Sequence, residues 1–318
     1  MTESDRTPGA PSSAALPPRQ FTSSGDAART LAGMHQYAQI GTTRIEYAWI
    51  EPAAVEDRHG LTPASSLIVF LHEGLGSLAL WKDFPARVCE AAGLRGLVYS
   101  RPAYGRSTPR AADEHWGPDF MHRQAIEVLP ALLEQLTGPA PTPPVWLFGH
   151  SDGASIALIH AARFPERVAG VVSMAAHVFV EDLSLRSIDT ARRAYQEQDL
   201  RTRLARWHDD VDSAFWGWCN AWLSPAFSDW NLRAELRDIR CPVLAIQGED
   251  DEYGTMAQIS AIEASVADTE RLALAGCAWM NGAGSASAAA VPPLRARNAR
   301  RDAVCPQAGE SSAVVAAG

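Results

Sequence analysis

The chain has 318 residues, 47% of them hydrophobic and 20% charged, with a formal charge of −9. That length holds one large α/β domain or two small ones, and the acidic balance argues against nucleic acid as a partner, which wants a basic stripe. The longest apolar runs are strand-length, so no membrane span is expected. Residues 1–30 carry no apolar core of the signal-peptide type. The five cysteines (Cys89, Cys219, Cys241, Cys277, Cys305) are scattered without a C-x-x-C pair. They read as free thiols of a reducing compartment, and a cytoplasmic setting is expected.

Residues 1–34 are rich in Ser, Thr, Pro, Ala and Gly and read as a disordered N-terminal segment. Residues 36–40 and 43–50 alternate as a strand pair about Gly41. Residues 66–71 (Ser-Ser-Leu-Ile-Val-Phe-Leu from 65) read as a buried strand. It runs into the turn His72-Glu73-Gly74-Leu75-Gly76-Ser77. A helix is expected over 83–92, a strand over 95–100 and a helix over 121–136, where Ile126, Leu129, Leu132, Leu133 and Leu136 fall at helical spacing.

After a proline-rich break, a short apolar run from Val145 ends in Gly149-His150-Ser151-Asp152-Gly153, and a helix-compatible run comes next over 154–163. This is the G-x-S-x-G nucleophile elbow, a serine on a tight strand-to-helix turn. Side chains two residues either side of Ser151 would meet neighbouring backbone, which is why glycine stands there. With an elbow present, the turn after the earlier strand gains a meaning. A glycine-bearing turn frees backbone N–H groups, and one of them pairs with the N–H after the nucleophile, Asp152, to hold an oxyanion. Gly74 is the preferred donor, with Glu73 and Leu75 as alternatives.

A strand over 168–174 ends the first half. Strands alternating with helices mean a mostly parallel sheet with helices on both faces. From about 179 the pattern turns helical and aromatic, with Trp207, Trp216, Trp218, Trp222 and Trp230 making up half of the ten tryptophans. That stretch is too long for a loop and reads as an inserted helical cap. The sheet resumes at 242–248, then Glu249-Asp250-Asp251-Glu252, a helix over 255–266 and a last strand over 271–274.

The order of these pieces resembles the α/β-hydrolase family, in the subgroup with a helical cap. The motifs that carry the resemblance are His72 to Ser77, Arg101-Pro102 with Gly105 and Ser107, Gly149 to Gly153, and Gly248-Glu249-Asp250-Asp251. The likeness covers roughly residues 36–276. It implies core segments at 35–178 and 239–275, a cap at 179–238 and an atypical tail at 276–318 expected to be disordered. By the family order of nucleophile, acid, histidine, Ser151 is the nucleophile and Asp251 the orienting acid, with Asp250 as the alternative.

The histidine is missing from its place. The nine histidines stand at 35, 59, 72, 115, 122, 150, 160, 177 and 208, none beyond Asp251. Residues 276–318 hold 13 alanines and one leucine, with no Ile, Phe or Lys. Three readings compete. In the first, an out-of-frame or otherwise altered C-terminus is joined to a hydrolase body. In the second, another histidine substitutes: His177, just after a strand, or His208 in the cap, with His72 and His150 flanking the motifs. In the third, the chain is a non-catalytic ligand-binding protein on this fold. A serine without a base is a weak nucleophile, so the first reading leaves this chain nearly inactive.

The expected reaction is acyl transfer from an ester or lactone to water, with carbon–carbon cleavage of ring-fission products as the alternative. Trp216, Trp218 and Trp222 are expected to line a pocket for a small apolar or aromatic acyl substrate. Asp152 beside the nucleophile disfavours anionic groups. No metal site is expected: His208-Asp209-Asp210-Val211-Asp212 reads as a helix cap, and Glu249 to Glu252 as an orienting acid with solvated neighbours. No nucleotide-binding glycine pattern occurs, so no cofactor is expected. The sequence leaves the oligomeric state open.

Overall fold

A computed structural model describes residues 35–52, 67–139 and 142–276. It contains one eight-stranded sheet in the order β1-β2-β4-β3-β5-β6-β7-β8. The strands are β1 (Gln36–Ile40), β2 (Thr43–Ile50), β3 (Leu67–Leu71), β4 (Arg95–Tyr99), β5 (Val145–His150), β6 (Val168–Met174), β7 (Val243–Gly248) and β8 (Thr269–Leu274). β1 and β2 form an antiparallel hairpin, β2 joins β4 antiparallel, and β3 to β8 are parallel. The expected α/β class, a mostly parallel sheet with helices, is what the chain forms.

The central strands are covered on both faces, which is why their sequences read as unbroken apolar runs rather than alternations. All residues of β5 and β7 are buried. Two apolar clusters flank the sheet. One gathers Phe70, Trp81, Phe84 and Phe148 with Val172 and Ile246. The other, larger, runs from Val69 and Leu147 through Ile156 and Ile159 to Phe215, Trp218 and Trp222.

The helices are α1 (Phe84–Ala92), α2 (Phe120–Arg123), α3 (Leu129–Thr137), α4 (Asp152–Arg163), α5 (Asp182–Glu197), α6 (Leu200–Leu204), α7 (Val211–Trp222) and α8 (Met256–Ser265). The single helix expected over 121–136 is two α-segments joined by a π-helical turn, Gln124–Val128. There the Ala125 carbonyl, on the wide turn, meets Nδ1 of His160 on α4 at 2.7 Å. β8 begins two residues before the expected start, because Thr269 and Glu270 pair with Val243 and Leu244. As a half-exposed edge strand it carries polar residues that the apolar pattern passes over. Three helices, α5 to α7, stand between β6 and β7 where the inserted helices were expected. The segments expected to be disordered, 1–34 and the tail after Gly276, lie outside the described residues. No helix among the described residues is long and apolar enough to cross a membrane.

Topology positions the site. From β3 the chain steps to β4 on one side, then crosses back to β5 on the other. The loops leaving β3 and β5 therefore diverge, opening a crevice at the carboxyl ends of two adjacent strands. Leu71 pairs with Gly149, so the turn at 72–77 and the elbow at Ser151 leave the sheet at the same level.

Candidate active site

Ser151 has φ 52° and ψ −120°, a strained conformation for a residue with a side chain, at the N-cap of α4. Its amide donates to Met174 O at 2.9 Å, fixing the elbow to the end of β6. The flanking glycines are required by contact. A Cβ on Gly149 would meet the backbone of Ala154, its nitrogen at 2.5 Å. A Cβ on Gly153 would overlap Leu71 O and lie 2.6 Å from His72 O.

The turn after β3 is pinned from behind. Glu73 O accepts from Gly76 N (3.0 Å) and from Arg101 Nη2 (2.8 Å). It also meets His72 Nδ1 at 2.7 Å. The other His72 nitrogen, Nε2, accepts from Arg101 N at 3.0 Å, so Nδ1 carries the proton and donates to Glu73 O. Burial, then the Arg101 charge, holds the His72 ring well below its ordinary pKa and so neutral. In a trans peptide the C=O and the following N–H point opposite ways. Three donors on Glu73 O thus turn the Gly74 N–H away from the core. Gly74 itself lines the cavity beside Ser151. A Cβ there would press on the Trp218 indole, with Cδ1 at 2.7 Å and Cε2 at 2.9 Å. Gly74 therefore lets Trp218 lie flat against the turn.

Arg101 is fully buried, an unusual place for a guanidinium. It stacks 4.6 Å over the Tyr104 ring. Glu73 faces His150, with Oε2 3.5 Å from Nδ1. Burial pushes the Glu73 carboxyl up, but His150 and Arg101 outweigh it and hold its pKa low.

The cavity in front of Ser151 has a volume of about 210 Å³. Gly74, Leu75 and Asp152 form one side, and His177, Asp251 and Tyr253 another, with Ile188, Trp218 and Trp222 from the inserted helices above. Trp218 and Trp222 are four residues apart and share a helix face. Trp216 is not among the lining residues; two positions before Trp218, it points elsewhere and packs edge-on against Tyr195 and Phe215. Asp251 Oδ1 accepts from Tyr253 N (2.9 Å) and Gly254 N (3.0 Å), which fixes the carboxylate at the cavity edge. Beside it Asp250 N meets Gly276 O at 3.4 Å, so the chain leaves β8 next to the acid turn.

Asp152 is 1% exposed. One oxygen accepts from Trp222 Nε1 at 3.2 Å, and the other, Oδ2, has no hydrogen-bond partner. Burial raises its carboxyl to about 6, against the pull of Arg101 and Trp222. Trp222→Phe keeps a ring but removes the bond. We expect it to cost about 1–3 kcal/mol at pH 8, where the carboxylate is charged, and measurably less at pH 5; equal losses in urea titrations at both pH values would reject a charge-assisted bond.

The remaining histidines divide. His208 bridges two loops: Nδ1 accepts from Gly105 N at 3.0 Å, leaving Nε2 to donate to Leu75 O at 3.1 Å. It is a structural clasp, and Asp210 caps α7 by accepting from Ser213 N at 2.8 Å. His177 instead lines the cavity. It is 4% exposed with Nδ1 unpartnered, and burial lowers its pKa to about 4 despite Asp251 and Glu181. No group of three or more metal-ligating side chains is gathered among the described residues. The packing roles of Arg101 and Glu73 escape the sequence reading, which offers Arg101 only as a motif residue and Glu73 only as an alternative oxyanion donor.

This chain belongs to the alpha/beta hydrolase fold family, whose sequence profile matches residues 66–240. Among similar curated proteins, "Putative carbamate hydrolase RutD" of Variovorax paradoxus (strain S110) is 32% identical over 175 residues, covering 49% of this chain and 61% of that protein. Protein PHYLLO, chloroplastic, of Arabidopsis thaliana is 27% identical over 157 residues, 47% of this chain and 9% of that protein. The chain thus spans less than two thirds of the length of either. The enol-lactonase of Burkholderia xenovorans LB400 has a similar fold, with a TM-score of 0.61 at 20% identity, covering 82% of this chain and all of the other.

Proposed function

We propose that this hydrolase-family chain acts on an ester or lactone, transferring the acyl group first to Ser151 and then to water. One observation carries the reading: a serine in a strained turn lines a cavity together with Gly74, whose N–H stands opposite the pinned Glu73 carbonyl. Asp152 N, at the first position of α4, has no partner within its helix. The Gly74 and Asp152 amides would hold the oxygen as the carbonyl pair moves onto it, and Asp251 would steady the positive charge of whatever base takes the serine proton. The relative's carbamate fits the same chemistry, since a carbamate, like an ester, presents a carbonyl carbon with a heteroatom leaving group.

The inserted helices act as a cap over this site. Trp218, Trp222, Ile188 and Leu75 suit a small apolar or aromatic acyl group, and Asp152 disfavours an anionic one. The buried thiols of Cys89 and Cys219, neither in a disulfide, support a reducing, cytoplasmic setting.

With no histidine after Asp251, turnover is expected to be slow, since removing one member of a triad costs on the order of 10⁴–10⁶ in rate. The test is hydrolysis of a p-nitrophenyl ester by the chain and by Ser151→Ala. The chain should exceed buffer and the variant should not. Equal rates would reject the serine mechanism and favour a ligand-binding protein without turnover.

A further inference from the structure

We propose that His177 is the proton acceptor for Ser151 in this chain, a base delivered from the end of β6 rather than from beyond β8. The proposal rests on the serine reading above. Three observations carry it. His177 lines the same cavity as Ser151 and Asp251. It is almost wholly buried with an unpartnered ring nitrogen, a costly state for a polar group with no task. And a single hydroxyl ties the two residues together. Ser155 Oγ donates to His177 O at 2.6 Å, accepts from His177 N at 3.2 Å, and reaches Ser151 O at 3.4 Å. The nucleophile and the imidazole are therefore built from backbones that share one atom as a staple.

The surroundings suit the task. The ring packs edge-on against Trp222 with centroids 4.9 Å apart. The titratable groups acting on it are Asp251 and Glu181, which favour its protonated form, and His150, which opposes it. Burial keeps the ring neutral at pH 7 and so able to accept a proton. As Ser151 Oγ bonds to the acyl carbon, its proton passes to a His177 ring nitrogen and the carbonyl pair moves onto oxygen. When the C–O bond to the leaving alcohol breaks, that alcohol takes the proton. Asp251 and Glu181 offset the transient positive charge. The low proton affinity makes His177 a weaker base than an exposed histidine, consistent with slow turnover.

A tagged fluorophosphonate reads this step without needing turnover: serine oxygen bonds to phosphorus, fluoride leaves with its electron pair, and the serine proton goes to the base. The full chain should be labelled, Ser151→Ala should not, and His177→Ala should label at least about 100-fold more slowly. Imidazole added to His177→Ala should restore much of the rate, which a merely structural role would not allow. Labelling of the unaltered chain should be flat from pH 6 to 8 and fall only as the pH approaches 4. His177→Ala labelled at the full rate overturns the proposal and leaves the serine reading standing. A folded His177→Ala that imidazole does not rescue, or a rate that climbs through pH 7, also overturns it. If the unaltered chain labels no faster than Ser151→Ala, both readings fall together. If His177→Ala does not fold, the pH profile of the unaltered chain and His177→Gln decide by the same criteria.

Discussion

Gly153→Ala is expected to destabilise the protein by about 3 kcal/mol or more, a large effect for adding one methyl group. The reason lies in what the methyl would meet. The new Cβ overlaps the carbonyl oxygen of Leu71 and crowds that of His72. Both are backbone atoms, so no side-chain rotation relieves the clash. Leu71 is hydrogen-bonded into the middle of the sheet, paired with Gly149. Either α4 must lift from the sheet or β3 must bend, and both moves open the buried cluster holding Leu147, Ile156 and Leu158. Urea denaturation measures the loss as a lower midpoint at unchanged slope. A midpoint shift worth less than about 0.5 kcal/mol would mean that the elbow is looser than these contacts require.

Asp152→Asn is expected to act in the opposite direction and only above a certain pH. The Asp152 carboxyl has its pKa raised by burial to about 6 in the folded chain, against an ordinary value of 3.8. Below the ordinary value it is protonated whether the chain is folded or not, and contributes nothing to pH dependence. Between the two values the unfolded chain releases the proton and the folded chain keeps it, so stability falls as pH rises. Above about 6 the full cost of a buried charge is present, on the order of 3 kcal/mol. Asparagine keeps the shape and an oxygen for Trp222 Nε1 but carries no charge. The variant should match the parent near pH 4 and gain up to about 3 kcal/mol by pH 8. Parallel curves of stability against pH for the two proteins would sink the idea. A gain would show that the folded chain tolerates a strained electrostatic environment beside Ser151, as sites built for chemistry often do.

Much of this fold was legible because burial leaves a plain mark on sequence. β3, β5 and β7 are covered on both faces, so each is an apolar run that ends where a turn begins. The elbow was legible because two glycines flank the serine at a fixed spacing, and the contacts of Gly149 and Gly153 explain why. The rest depended on packing between distant segments. α7 is aromatic on several faces, so its sequence could not say which face looks down; Trp218 and Trp222 face the cavity and Trp216 does not. Arg101 is fully buried against the usual preference of its side chain, and only the partners His72, Glu73 and Tyr104 reveal why. By sequence His177 and His208 are equal candidates for a substitute base, and what distinguishes them is bonding. Both ring nitrogens of His208 are engaged with backbone, whereas His177 keeps one unpartnered.

Among the ties that hold the inserted helices to the loops at the carboxyl edge of the sheet, two stand on opposite sides of the site. Ser184 and Ser187 of α5 donate to the carbonyls of Tyr253 and Glu252, each at 2.5 Å. On the other side of the site His208 clasps Leu75 and Gly105. A roof held at both ends does not swing open as a single flap. Whatever occupies the cavity must enter and leave where the roof is untied. Removing both hydroxyls, as Ser184→Ala with Ser187→Ala would, takes away the two side-chain ties of α5 to the 252–253 turn and should speed exchange with solvent on that side.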